Sequence, residues 1–344
     1  MLNTGQLMQK IYTSKPSKRP ADEKYLTANR ILTQLEAGLK ATSIAGHTWE
    51  ITKLDSTLEV RIKNSSNAYV AFELITSDNQ GNFSIESFNE DVNSVADLPA
   101  QSMHERKARV VNSGPADTTY WSEFVAEDGV SGKGYWKESI DPTVSLGLDK
   151  TTMPHELHNS STDNFIFRQA SWVDRTVGDD GTNMHPGFIY KDANDAYAGT
   201  IQQCFYHNNR LGMLTDDNVV MSRSGDFYNF YYTSALAVID SDPIDINCSS
   251  LRPAVLHAVL PTAQGLILFS NNQQFIMFSD AEMLTPASAI IRGISNYEMD
   301  PKIDPVESGT LLNFVSKTPS STRVFSVQTR GAEESPDVMD IGKI

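Results

Sequence analysis

Residues 205–245 read FYHNNRLGMLTDDNVVMSRSGDFYNFYYTSALAVIDSDPID. Two apolar, β-prone runs, Leu211–Leu214 and Val219–Met221, flank the polar turn Thr215–Asn218. A Ser-Arg-Ser-Gly-Asp-Phe punctuation follows, then a cluster of Phe227, Tyr228, Phe230, Tyr231 and Tyr232, and an acidic bend of Asp240, Asp242, Pro243 and Asp245 closes the stretch. Turn formers between β-prone runs predict hairpins, with Gly212 and Gly225 where the backbone needs unusual dihedrals.

Outward from this stretch the texture is strand after strand. Three hairpin-like units stand out: Phe205–Arg223, Leu266–Phe278 and Leu311–Val327. Their starts are 61 and 45 residues apart, too uneven for a strict repeat. Periodicity alone supports an all-β region with several hairpins. Upstream, Tyr25, Ala28, Leu32, Leu35 and Leu39 recur at spacings of three and four, one face of an amphipathic helix that Asp22 can cap and Gly38 ends. The period then changes to two in Trp49–Thr52 and Leu58–Ile62, with further strands expected over Val70–Ile75 and Phe83–Phe88. Ala108–Val111, Tyr120–Ala126 and Tyr135–Ser139 predict a meander. The expected organisation is a lead-in over 1–20, an α+β domain over 21–98 with one helix on an antiparallel sheet, a β meander module over 105–150, and a β domain over 151–344. The fold class is mainly β.

The 344 residues include 28 Lys and Arg against 43 Asp and Glu, a net charge of −15. That balance argues against a general nucleic-acid-binding surface, which would be basic. No apolar run approaches the length of a membrane span, and Met1–Lys15 lacks the apolar core of a signal peptide. Cys204 and Cys248, the two cysteines, have no metal-ligand spacing and predict two buried reduced thiols.

Catalytic patterns are incomplete. His155 and His158 are three apart where a helical zinc motif needs four. A calcium loop begun at Asp240 places Ile244, Asp245 and Leu251 at positions that need other residues. Asp179-Asp180-Gly181 with His185 reads as a turn whose carboxylates serve local N–H groups. Ser222, Ser224 and Asp226 near His207 lack a nucleophile elbow, and Gly129–Gly134 lacks phosphate-loop spacing. Trp121, Tyr135 and Trp136 read as core or contact residues before sugar-stacking ones. No cofactor and no enzymatic activity is expected.

The run NRLGMLTDDNVVMSRSGDFYNF, with DSDPIDI after it, resembles the tail tubular protein B family, the nozzle proteins of short-tailed bacteriophages. TMPHEL (152–157), GDDGTNMHPGF (178–188) and the span 254–280 continue the likeness, clearest over about 105–330. The resemblance implies a partial β-propeller-like domain over 151–344. Its motif positions fall on Asn209, Arg210, Leu211 and Gly212 at the blade start and on Ser222, Arg223, Gly225, Asp226, Phe227, Asn229 and Phe230 at the corner. Asp240, Asp242, Pro243 and Asp245 form its acidic bend, to which Arg210 or Arg223 is expected to pair. The aromatic cluster is expected to pack blade against blade or subunit against subunit. The resemblance further implies a virion structural protein made in the host cytoplasm: a homo-oligomeric ring, a hexamer, below the adaptor of tail tubular protein A. Contacts with tail fibres and a lumen passing DNA without specific binding also follow. Family members are longer at both ends, so the chain reads as an internal portion or a split-gene product. The alternative is a tail component that binds or degrades glycans.

Overall fold

The computed structural model describes residues 27–54, 57–77, 85–111, 119–190, 199–250, 252–262, 264–318, 320–328 and 337–342. The chain divides into two compact units, Met1–Asp141 and Pro142–Ile344.

In the first unit, helix α1 (Ala28–Lys40) is capped by Thr27, whose hydroxyl accepts from the Arg30 N–H. Asp22 and Tyr25 lie outside the described residues, and the helix runs two residues past Gly38. It packs on the hairpin of β1 (His47–Leu54) and β2 (Thr57–Asn64), where Trp49 faces Ile62 and Ile51 faces Val60. Lys53 ties the two layers, donating to Asn29 Oδ1 and Thr33 Oγ1 at 2.8 Å each.

The strand expected over Val70–Ile75 does not form, nor do the described residues of Phe83–Phe88 join a sheet. Val70 makes one bond back to Ile62, after which side chains take over: Ser87 Oγ donates to the Leu74 carbonyl and Thr76 Oγ1 to that of Ile85. Hydroxyls occupy acceptors that a ladder would use. Five strands follow, β3 (Asp91–Val92), β4 (Gln101–Met103), β5 (Lys107–Val110), β6 (Tyr120–Ala126) and β7 (Ser131–Ser139), in the order β3-β5-β6-β7-β4. The expected meander is there. Trp121 and Phe124 are core, Trp136 meets Phe124 edge-on at 5.3 Å and donates to the Pro99 carbonyl, and Tyr135 is exposed.

The second unit opens with a two-stranded hairpin, β8 (His155–Ser161) and β9 (Asn164–Gln169). Three four-stranded antiparallel meanders follow, each pairing in chain order. The first is β10 (Gln203–His207), β11 (Arg210–Thr215), β12 (Asn218–Met221) and β13 (Ile244–Asn247). The second is β14 (Leu256–Thr262), β15 (Gly265–Ser270), β16 (Gln274–Ser279) and β17 (Ala289–Ser295). The third is β18 (Val306–Ser308), β19 (Leu311–Thr318), β20 (Ser321–Gln328) and β21 (Asp337–Asp340). All three sequence-predicted hairpins are present.

Strand β15 shows why the sheets stack. Leu266, Ile267, Leu268 and Phe269 are all buried, since successive strand side chains point to opposite faces and both faces are covered. Leu266 and Leu268 join Leu214, Val219, Met221 and Ile244 of the first meander. Ile267 and Phe269 join Leu312, Phe314, Phe325 and Val327 of the third. Each such side chain contributes about 1.5–3 kcal/mol on burial. On β14 a bulge between Leu256 and Ala258 turns those two residues to opposite cores, which plain alternation forbids. The first meander is likewise two-faced: Met213 and Val220 point away from the second meander into a core with Trp172, Phe188, Phe230 and Tyr231.

Two expectations change here. Gly212 does not have a positive φ; it is extended, and the ring of its cross-strand partner Phe205 occupies the place of a Cβ, about 2.1 Å from where that atom would sit. Gly225, at φ 77°, does need its glycine. Of the two thiols only Cys248 is buried; Cys204, on edge strand β10, is exposed. Burial, with Asp217 adding to it, pushes the Cys248 thiol up to about 12, so it stays protonated and inert. Among the described residues no helix is long and apolar enough to cross a membrane.

Gly212→Ala is expected to lower unfolding free energy by about 1–3 kcal/mol through overpacking. In a Phe205→Ala background the penalty should shrink. Denaturant titration of the four variants measures both, and equal penalties in the two backgrounds would remove the ring from the explanation.

Candidate functional site

The motif residues singled out in the sequence gather at one end of the first meander. Strand β10 turns into β11 through Asn208 and Asn209, both with positive φ, the two-residue geometry that matches hairpin twist. The Asn209 carbonyl accepts from the Gly225 N–H at 2.8 Å, and its Oδ1 accepts from the Tyr206 hydroxyl. The next residue, Arg210, is 1% exposed. Its guanidinium donates to the carbonyls of Ser222 (2.8 Å), Asp242 (2.6 Å) and Asp240 (2.8 Å).

So Arg210 does join blade start, corner and acidic bend, but through backbone carbonyls and not the expected aspartate carboxylates. Carbonyls at a sharp bend cannot reach a ladder partner, and a five-donor fork satisfies several at once. Arg223, the other candidate, does not perform this tie: it is half-buried, and its Nε is enclosed without a hydrogen-bond partner. The Asp242 carboxylate, fully buried, closes the loop 233–242 instead, accepting from the Thr233 N–H, the Thr233 hydroxyl and the Ile239 N–H. Pro243 is buried beside it, and Asp245 reaches across to the Gly187 N–H at 2.6 Å.

The remaining corner residues are equally occupied. Ser222 Oγ accepts from the Leu211 N–H and donates to the Arg223 carbonyl. Asp226 donates its N–H to the Arg223 carbonyl, and Asn229 Oδ1 accepts from Tyr231 N–H. Phe230 packs between Trp172 and Phe188, and Tyr231 is buried with them. Tyr228, Phe230 and Tyr231 therefore pack on the segment 145–190 that covers the first meander and not blade against blade, the first of the two packings expected. Phe227 is the exception, part-exposed and edge-on to Tyr206 at 5.6 Å.

Sequence reasoning missed a second knot in that covering segment. Arg175, with a side chain 0% exposed, donates to Asp180 Oδ1 and the Asn183 carbonyl at 2.8 Å and to the Ser145 carbonyl at 2.7 Å. Nothing in the local pattern of a single arginine marks it as buried. Asp179 behaves as the turn reading predicted, its Oδ1 accepting from Gly181 N–H, Thr182 N–H and Thr182 hydroxyl. His185 Nδ1 hydrogen-bonds the Tyr231 hydroxyl at 2.8 Å, and its Nε2 lies 4.0 Å from Asp180. His185 and Asp180 border a hollow of about 550 Å³ lined also by Thr143, Val144, Ser145, Ile189 and Tyr190. Burial first, then the Arg175 charge, holds His185 below its ordinary value, with Asp180 opposing. His155 and His158 lie on β8, where a spacing of three puts them on opposite faces. Among the described residues no three His, Cys, Asp or Glu side chains are grouped to hold a metal.

Arg210, Ser222 and Asp242 thus spend their polar groups largely on the backbone around the corner. A profile of the bacteriophage nozzle protein family matches residues 2–344. The chain belongs to that family. Tail tubular protein gp12 of Escherichia phage T7 is 29% identical over 212 residues, covering 61% of this chain and 25% of its own length. The chain accordingly spans about a quarter of the curated relative it matches. Nozzle proteins are structural proteins of the phage tail, not enzymes, and the glycan alternative draws no support from the family or the relative.

Two outcomes follow for this nozzle-family chain. Arg210→Met should cost at least about 3 kcal/mol by stranding buried carbonyls, whereas Arg223→Met should stay within about 1 kcal/mol; denaturant titration separates them. Because His185 titrates below its unfolded value, its neutral form contributes stability that is complete above pH 6.5 and lost as pH falls through the folded value. Melting temperature should fall with acidification over that window, and His185→Gln should flatten that part of the profile.

Proposed function

We propose that this chain is part of a tail nozzle subunit that assembles as a homo-oligomeric ring, a hexamer, below the adaptor ring of tail tubular protein A. The ring extends the channel for DNA ejection and helps anchor tail fibres. The observation that carries this reading is the serial stack of three four-stranded meanders in a nozzle-family chain. Strand β10 of the first lies beside β14 of the second, and β13 beside β17, so corresponding strands neighbour one another as in successive propeller blades. On this reading residues 151–344 are a partial β-propeller-like domain, preceded by the α+β domain (21–98) and the meander module (105–150).

The mechanism is mechanical and electrostatic. Rigid corners such as the Arg210 knot hold the sheets at set angles while force passes along the tail. A net charge of −15 suits a lumen that must not retain DNA, since each Lys or Arg contact with phosphate would release counterions and hold the strand. Negative-stain electron microscopy of the chain, alone and with its adaptor ring, tests the proposal. Rings, or density added below the adaptor, are the expected outcome; a chain that stays monomeric and ignores the adaptor would overturn it.

A further inference from the structure

Residues 178–186 form a strap laid over the loop 231–233. Asn183, 1% exposed, latches it there: its Nδ2 donates to the Tyr232 carbonyl and its Oδ1 accepts from the Tyr232 N–H. The His185 Nδ1 meets the Tyr231 hydroxyl at 2.8 Å, with the two rings edge-on. Gly178, at φ 78°, turns the chain into the strap, and the bond from the Gly187 N–H to Asp245 fixes the far end. The outer side of the strap faces water at Asp180 and Met184. Asn183 and its partners carry no charge, so the ionic balance of the strap rests on three groups. Asp180 Oδ1 accepts from Arg175 Nη1 at 2.8 Å and lies 4.0 Å from His185 Nε2.

We propose that this strap is an acid-released latch: protonation of His185 opens residues 178–186 away from the loop 231–233 while the stacked meanders stay folded. With His185 neutral, one carboxylate faces one guanidinium. Protonation sets two cations against that single carboxylate, in a place where water screens them poorly. Arg175 is fixed, since its side chain has no exposure and it also donates to the Ser145 carbonyl. The strap carries the other cation and has solvent on its outer side, so relief comes from the strap moving out. The Tyr231 hydroxyl can accept from a protonated ring as well as from a neutral one, so the charge and not this bond discriminates. Among the described residues, the other titratable groups here are Tyr190, which borders the same hollow, and Asp245 at the far end. Burial raises the Asp245 carboxyl, so its own protonation favours the closed strap, opposite in sign to His185. In the open strap His185 is hydrated and regains its ordinary affinity for protons. Burial and the Arg175 charge lower that affinity in the closed one, so each proton bound favours opening.

The test is native-state hydrogen exchange of the whole chain from about pH 7.5 down to about pH 5, read by mass spectrometry and corrected for the intrinsic exchange rate at each pH. Peptides from residues 176–189 should lose protection as pH falls below 6.5, by up to about tenfold for each unit that the closed-state value lies lower. Peptides from β15 and β16 should keep theirs, and His185→Gln should make the strap's protection independent of pH. Should His185→Gln unfold, a carbon-13 histidine titration of the wild type decides, with the His185 midpoint expected to coincide with the strap's loss of protection. A strap whose protection is the same at both ends of the range overturns the latch. So does a loss that β15 and β16 share equally, or one that persists unchanged in a folded His185→Gln variant or falls away from the His185 midpoint.

Discussion

The second unit depends on strands that are buried on both faces. Leu266 and Leu268 look into one core and Ile267 and Phe269 into another, so the second meander has no side that can face water. A sheet of this kind is stable only between two neighbours. The first meander meets the same requirement with the second meander on one side and the segment around Trp172 and Phe188 on the other. The third is covered on one side, while Val306 and Met339 remain exposed.

Stacking leaves sharp corners, and corners leave backbone carbonyls without ladder partners. Two arginines solve that problem in the same way. Arg210 gathers carbonyls from the end of β12 and from the acidic bend, and Arg175 does so within the covering segment with Asp180 added. A buried guanidinium is costly to desolvate, and several charge-assisted bonds to carbonyls offset much of that cost. The result is local rigidity where the chain changes direction.

The apolar surface left over is distributed in a telling way. The cores account for the aliphatic strands, yet the hairpin at 155–169 keeps its phenylalanines in solvent while its ionic groups are satisfied internally. A chain that buries its large aromatics so thoroughly at Phe230, Phe269 and Phe314 does not lack the means to bury them. At the hairpin they have no such cover among the described residues.

Much of the architecture was legible in the residues themselves. Alternating or continuous apolar runs of four to eight residues, bounded by Thr215–Asn218 or Asn271–Gln274, specify local hairpins because side-chain direction repeats every second residue. The motif around Asn209–Phe230 likewise marked a corner, since its turn formers act on their immediate neighbours. The partners of charged groups were not legible. An aspartate pairing for Arg210 was the natural expectation from composition, but the acceptors are carbonyls, which every residue carries and no residue type signals. Gly212 reads as a turn former, yet it is there for the Phe205 ring across the ladder. The burial of Arg175 and the exposure of Phe165 and Phe167 likewise arise from contacts between segments far apart in the chain. The sequence by itself determined the hairpins and their corners, because those depend on local periodicity and turn chemistry; only the tertiary structure decided which face meets which core and which groups remain uncovered, because those depend on long-range packing.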